Sequence, residues 1–197
     1  MKQTLSLIAF VAAIPAFAQE TRQLDAHEHG VGMLDIAIEG TTVAMEFHAP
    51  GADIVGFEFK AESDADLAAL DAAIATLRSP LDLFVVPGAA DCTVTEAQAE
   101  LESDEENEDH GGEHKDDHAE DDHDDHGHED HAEEAGHTEF HAEYRLTCDN
   151  PDALSKITFA YFETFPNAQE VQVQLITSAG ARAFEVERDT PILDLER

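Results

Sequence analysis

Imidazoles and carboxylates are interleaved from Glu102 to His137. These 36 residues hold 18 Asp or Glu, eight His and one base, Lys115, with no Val, Leu, Ile, Met or aromatic residue. His110, His114 and His118 recur at intervals of four. His123 and His126 are three apart, as are His128 and His131, and His126-Gly127-His128 is an H-x-H. Such spacing would line imidazoles along a helical turn, but the crowded carboxylates oppose a helix until a cation neutralises them. Nitrogen and oxygen donors of this kind suit divalent Zn, Ni, Cu or Co, whereas Ca²⁺ prefers oxygen alone. The pattern predicts several weak, interchangeable coordination sets. A solvated acidic linker with incidental histidines is the blander reading, and His-rich composition weighs against it.

A second group of histidines lies outside this segment. His27-Glu28-His29-Gly30 is another H-x-H, and in extended backbone residues two apart point the same way. His48 ends a predicted strand, while His137 and His141 stand where the acidic segment rejoins the rest of the chain. Three or four of His27, His29, His48, His137 and His141 could close a tetrahedral Zn²⁺ site. His48 taken alone reads equally well as an ordinary exposed or hydrogen-bonded histidine. No G-x-S-x-G, H-E-x-x-H or P-loop pattern is present, and no residue is assigned a catalytic role, so an enzyme is not expected.

The elements that must position these donors are mostly strands. Val31 to Glu39 and Thr42 to His48 alternate apolar and polar residues around Gly40-Thr41, the pattern of a β-hairpin. Ala52 to Lys60 reads as a loop. Ser63 is a good N-cap, and Leu67, Leu70, Ala73, Ile74 and Leu77 recur at three and four, an amphipathic helix ending at Ser79-Pro80. Leu81 to Val86 is ambiguous between a helical turn and a strand. Lys156 to Phe162, Glu170 to Thr177 and Arg182 to Glu187 alternate again.

Asp91 to Leu101 and Glu139 to Cys148 also alternate. Pairing them antiparallel with Cys92 opposite Cys148 sets Val94 against Leu146, Glu96 against Tyr144 and Glu100 against Phe140. Cys92 and Cys148 are the only cysteines and are expected to form one disulfide. Residues 102–137 then become a long hairpin loop, expected to be disordered because it lacks apolar surface to offset ordering entropy. The expected fold is α+β and β-rich: an antiparallel β-sandwich or bent sheet flanked by one or two helices.

Residues 1–18 read as a signal peptide, with Lys2, an apolar run from Leu5 to Ile14, and Ala16-Phe17-Ala18 before cleavage. Residues 19–197 are then a single exported domain, and a periplasmic location is expected. The absence of a Cys near the cleavage site argues against a lipoprotein, and no later apolar run predicts membrane insertion. A net charge of −35 disfavours nucleic acid and anionic membranes and favours cations.

Several segments together resemble the ZrgA-like family of periplasmic zinc-binding proteins. They are His27 to Gly30, the VGFE of Val55 to Glu58, the helix Leu67 to Leu77 running into L-R-S-P-x-x-L-F at Phe84, Cys92, the insertion Glu102 to His137, Phe140 to Cys148, and Phe165 to Ile176. The resemblance implies a β-rich, non-catalytic protein with flanking helices that binds Zn in the periplasm and assists zinc acquisition beside an ABC-type importer. Where that family carries His after VGFE this chain has Phe59, so a ligand role there is lost or passes to another residue such as His48. Two other functions compete: a tolerance sink for Cu, Ni or Co, since raw affinity favours Cu²⁺ over Zn²⁺, and an interaction protein whose acidic loop docks on a basic partner.

Overall fold

The computed structural model describes residues 28–103 and 137–195. Strands β1 (Val31–Glu39) and β2 (Thr42–Pro50) form the expected hairpin, with Gly40 at φ +59 in the turn. Their alternation places Leu34, Ile36, Ile38, Val43, Met45, Phe47 and Ala49 on a buried side. Met33, Asp35, Glu46 and His48 are left on the other.

The hairpin is the middle of a six-stranded sheet ordered β4-β5-β2-β1-β7-β8. The flanking strands are β4 (Cys92–Ser103), β5 (Thr138–Cys148), β7 (Glu170–Thr177) and β8 (Gly180–Glu187). A smaller sheet pairs β3 (Phe84–Val85), β6 (Lys156–Phe159) and β9 (Ile192–Asp194). The core lies against the inner face of the large sheet. Phe84 and Tyr161 meet Phe47 edge to face with ring centres 5.4 and 5.1 Å apart, and Phe159 packs on Phe84. Helix α2 (Asp64–Leu77), capped by Ser63 as expected, lies against β4 and buries Ala73 and Leu77. No helix among the described residues is long and apolar enough to cross a membrane.

The α+β, two-sheet architecture is the one expected, with four departures. First, β1 and β7 pair in parallel, Val31 opposite Glu170, so the large sheet is mixed. The chain reaches β7 at the end where β1 starts, and the amides of Gln169 and Glu170 both donate to the Gly30 carbonyl there. Second, Lys156 to Phe162 is not one strand. The strand stops at Phe159 and a turn of helix, α4 (Tyr161–Thr164), follows. Tyr161 and Phe162 are neighbours and both are buried, which an alternating strand on one core cannot achieve. Third, Leu81 to Val86 resolves into both of its readings, α3 (Pro80–Leu83) followed by β3.

The fourth departure is a register shift. Cys92 pairs with Cys148 and Val94 with Leu146 as expected, and the disulfide is formed. Between Val94 and Glu96 a β-bulge takes up Thr95, whose hydroxyl donates to the Arg145 carbonyl at 3.0 Å. Beyond it Glu96 opposes Arg145 rather than Tyr144, and Glu100 opposes His141 rather than Phe140. Ala97, Ala99 and Leu101 thereby turn inward, and Glu100 and Glu102 join the outer face.

The expected loop after β2 contains a helical turn, α1 (Gly51–Ile54), that buries Asp53 and Ile54. A Cβ at Gly51 would collide with the Thr138 hydroxyl and the Phe57 carbonyl. Only glycine lets this loop lie against the start of β5.

Candidate functional site

Every second residue of the large sheet's strands points away from the core onto its outer face. His48 on β2 and His141 on β5 are direct cross-strand partners there. Their rings stack 4.5 Å apart at 16°. Glu46 shares the face of His48 by strand alternation, and its Oε1 accepts from His48 Nε2 at 3.2 Å and lies 3.6 Å from His141 Nε2. Glu139 Oε2 stands 3.6 Å from His48 Nδ1, and Glu102 Oε1 stands 3.4 Å from His141 Nδ1. The bulge in β4 also brings Glu100 Oε1 to 3.9 Å from His141 Nδ1.

The two imidazoles are mostly covered, with side chains 18% and 16% exposed. Contact with the Glu139 carboxylate raises the His48 pKa above its ordinary 6.5; burial opposes this, and Glu46 adds to the rise. His141 Nε2 is buried and has no hydrogen-bond partner among the described residues. Each of Glu46, His48 and His141 offers a ligand atom within 4.8 Å of the other two, and Glu100, Glu102 and His141 form an overlapping set. Two imidazoles with carboxylates at this range are a donor set that Zn²⁺ accepts.

A second cluster lies where the chain re-enters the sheet. Glu58 Oε2 accepts from His29 Nε2 at 3.0 Å and from His137 Nδ1 at 3.1 Å. Burial would raise the Glu58 pKa, but the hydrogen bonds from His137 and His29 prevail and hold it below its ordinary value. Behind it, Asp53 accepts from the Gly30 amide at 2.8 Å and fixes the backbone that carries His29. Burial raises the Asp53 pKa against the pull of Gly30 and His29.

The expected pool of five histidines is thus divided. His48 and His141 share one cluster, and His29 and His137 the other. His27 and the insertion residues His110, His114, His118, His123, His126, His128 and His131 lie outside the described residues. Phe59, in the position after VGFE, stacks on Phe57 with ring centres 4.7 Å apart and is half exposed. His48, the residue to which that role could pass, contacts Glu46, Glu139 and His141. Sequence reasoning missed the carboxylates Glu46, Glu58, Glu100, Glu102 and Glu139. Glu46-x-His48 and Glu139-x-His141 carried a signal, because strand residues two apart share a face.

A model for a ZrgA family zinc uptake protein matches residues 26–195. No curated protein matches the chain at a significant level.

Proposed function

The chain belongs to the ZrgA family of zinc uptake proteins, and from that premise we propose that it is a non-catalytic, periplasmic carrier that captures, buffers or delivers Zn²⁺ beside an ABC-type importer. The observation that carries this reading is the stacked His48–His141 pair, ringed by Glu46, Glu139, Glu100 and Glu102. Imidazoles forced together in a field of carboxylates gain more from a shared cation than from two protons, which would repel each other. Borderline-soft nitrogen donors favour a transition metal over Ca²⁺ or Mg²⁺.

The net charge of −35 draws cations towards the protein, and the histidines of residues 102–137 offer further donors. In this scheme the insertion supplies many interchangeable weak sites, and the His48–His141 centre retains one ion more firmly. Isothermal titration of the metal-depleted full chain with Zn²⁺, Ni²⁺ and Cu²⁺, repeated on H48A/H141A, tests the assignment. The tightest zinc event should vanish in the double variant. An unchanged tight event would place the retained ion elsewhere.

A further inference from the structure

We propose that the outer face of the large sheet docks a basic segment of a partner protein, seating a Lys or Arg side chain in a trough beside the His48–His141 pair. Register puts three acids in one line across adjacent strands: Asp35 of β1 opposes Glu46 of β2, which opposes Glu143 of β5. Like charges directly opposite each other destabilise a sheet, and a cation laid over them relieves that cost. The next line along the strands is small and apolar, with Ile176 of β7 opposite Ala37 and Ala37 opposite Ala44. The two lines border a cavity of about 270 Å³. That is below the range of about 300–1,000 Å³ usual for small-molecule pockets and suits a single long side chain. The aliphatic stem of Lys or Arg would lie along the alanines and Ile176, and its cation would meet the acids.

Charge selects the occupant. Four acids and one base line the trough, and that base, Arg145, faces Glu96 at 3.6 Å. A second copy of a chain carrying −35 would bring more acid to an acidic face, and nucleic acid or anionic lipid would be repelled as well. The face is open among the described residues: Met33 and Ile176, on either side of the acid line, are 46% and 56% exposed. Six strands spaced by ~4.8 Å give it a width of about 24 Å, room for a small, transient interface. Glu46 serves two purposes, since it lines the trough and also contacts His48 and His141 at 3.2 and 3.6 Å. A partner's cation and a metal ion would compete for it, so docking would loosen the ion. That second step rests on the carrier reading; the docking itself does not.

The test is an amide ¹⁵N titration of the full chain, first with chelator present. The probe is a capped hexapeptide of alternating Lys and Ala, and its Nζ-acetylated form is the control. Amides of Ala37, Ala44 and Glu143 should shift saturably with the charged peptide and stay still with the acetylated one. Ala37→Trp fills the trough without altering charge, and D35N/E143Q removes two acids. Each should weaken the response at least fivefold while the amides of Phe159 and Leu193, in the small sheet, keep their positions and report a folded variant. Shifts confined to other residues, or undiminished in Ala37→Trp, overturn the trough. Shifts on this face that follow protein concentration without peptide make it a contact between copies, which overturns the basic partner. Saturating zinc should then weaken peptide binding at least threefold more in wild type than in H48A/H141A. An equal effect in both, with the tight calorimetric zinc event still present in wild type, overturns the competition at Glu46 and leaves the docking standing. Loss of that zinc event from wild type as well would instead count against the carrier reading.

Discussion

Glu100 stands directly opposite His141, and it does so because Thr95 is an extra residue in β4. Without that bulge the acids of the second half of the strand would point into the core and its alanines outward. The bulge thus adds carboxylates to the imidazole pair, and their effect should be electrostatic. Replacing Glu100 and Glu102 together by Gln should weaken zinc binding less than about tenfold, because both are solvent-exposed, and the loss should shrink further in high salt. Titration calorimetry at low and high ionic strength checks this.

Glu46 and His141 should matter far more. Glu46 Oε1 stands 3.2 Å from His48 Nε2 and 3.6 Å from His141 Nε2, so Glu46→Gln is expected to weaken the proposed tight site by about 10–100-fold, the range for removing a partner that orients metal-binding histidines. His141→Ala removes a proposed ligand outright and should cost at least as much. Competition against a chromophoric zinc chelator measures both.

The raised pKa of His48 sets opposite pH trends for the metal-free and metal-loaded protein. The folded state holds this proton more tightly than the unfolded chain, whose histidine titrates near ~6.5. The stabilisation is therefore complete below that value and disappears as pH climbs through the higher folded pKa. Chelator-treated protein should lose melting temperature relative to His48→Gln as pH rises above ~6.5. Zinc affinity should rise across the same interval as the proton leaves. Parallel thermal melts with chelator and with saturating zinc would expose the crossing.

Gly51→Ala should destabilise the fold by about 1–3 kcal/mol, the usual cost of forcing extra atoms into packed structure. The added Cβ meets backbone and the Thr138 hydroxyl, which lack a cheap way to yield. Because Thr138 adjoins His137 and Phe57 adjoins Glu58, the ring ¹⁵N shifts of His29 and His137, which both contact Glu58, should be disturbed as well. Urea denaturation and ring ¹⁵N spectra read the two effects separately.

Cys92 and Cys148 close a loop of 56 positions that contains the whole insertion. Replacing both by Ser should cost about 2–5 kcal/mol of stability. Zinc stoichiometry should be kept, since neither sulfur lies among the clustered ligand groups. Denaturation curves and metal analysis of the folded variant test the pair of statements.

Much of this was legible in the chain. Alternating apolar residues marked the hairpin, and one cysteine pairing agreed with the alternation of both strands it joins. The phase slip in β4 was legible too, since Cys92 and Val94 occupy even positions and Ala97, Ala99 and Leu101 odd ones. Read as a single alternation, it placed Glu100 on the wrong face. Tyr161-Phe162 was mistaken for strand because two adjacent aromatics satisfy either pattern until the core shows that both must be inside.

The residues alone determined the donor chemistry, the charge, the side of each strand a histidine occupies and the family to which the chain belongs. They did not determine which histidines meet. Alternation is local and reports only the face, whereas partners depend on a register set by pairing between distant segments. His48 finds His141 through the β2–β5 ladder, and His29 finds His137 because the Gly51 turn lays Glu58 between them. Only tertiary structure could divide one pool of imidazoles into two clusters.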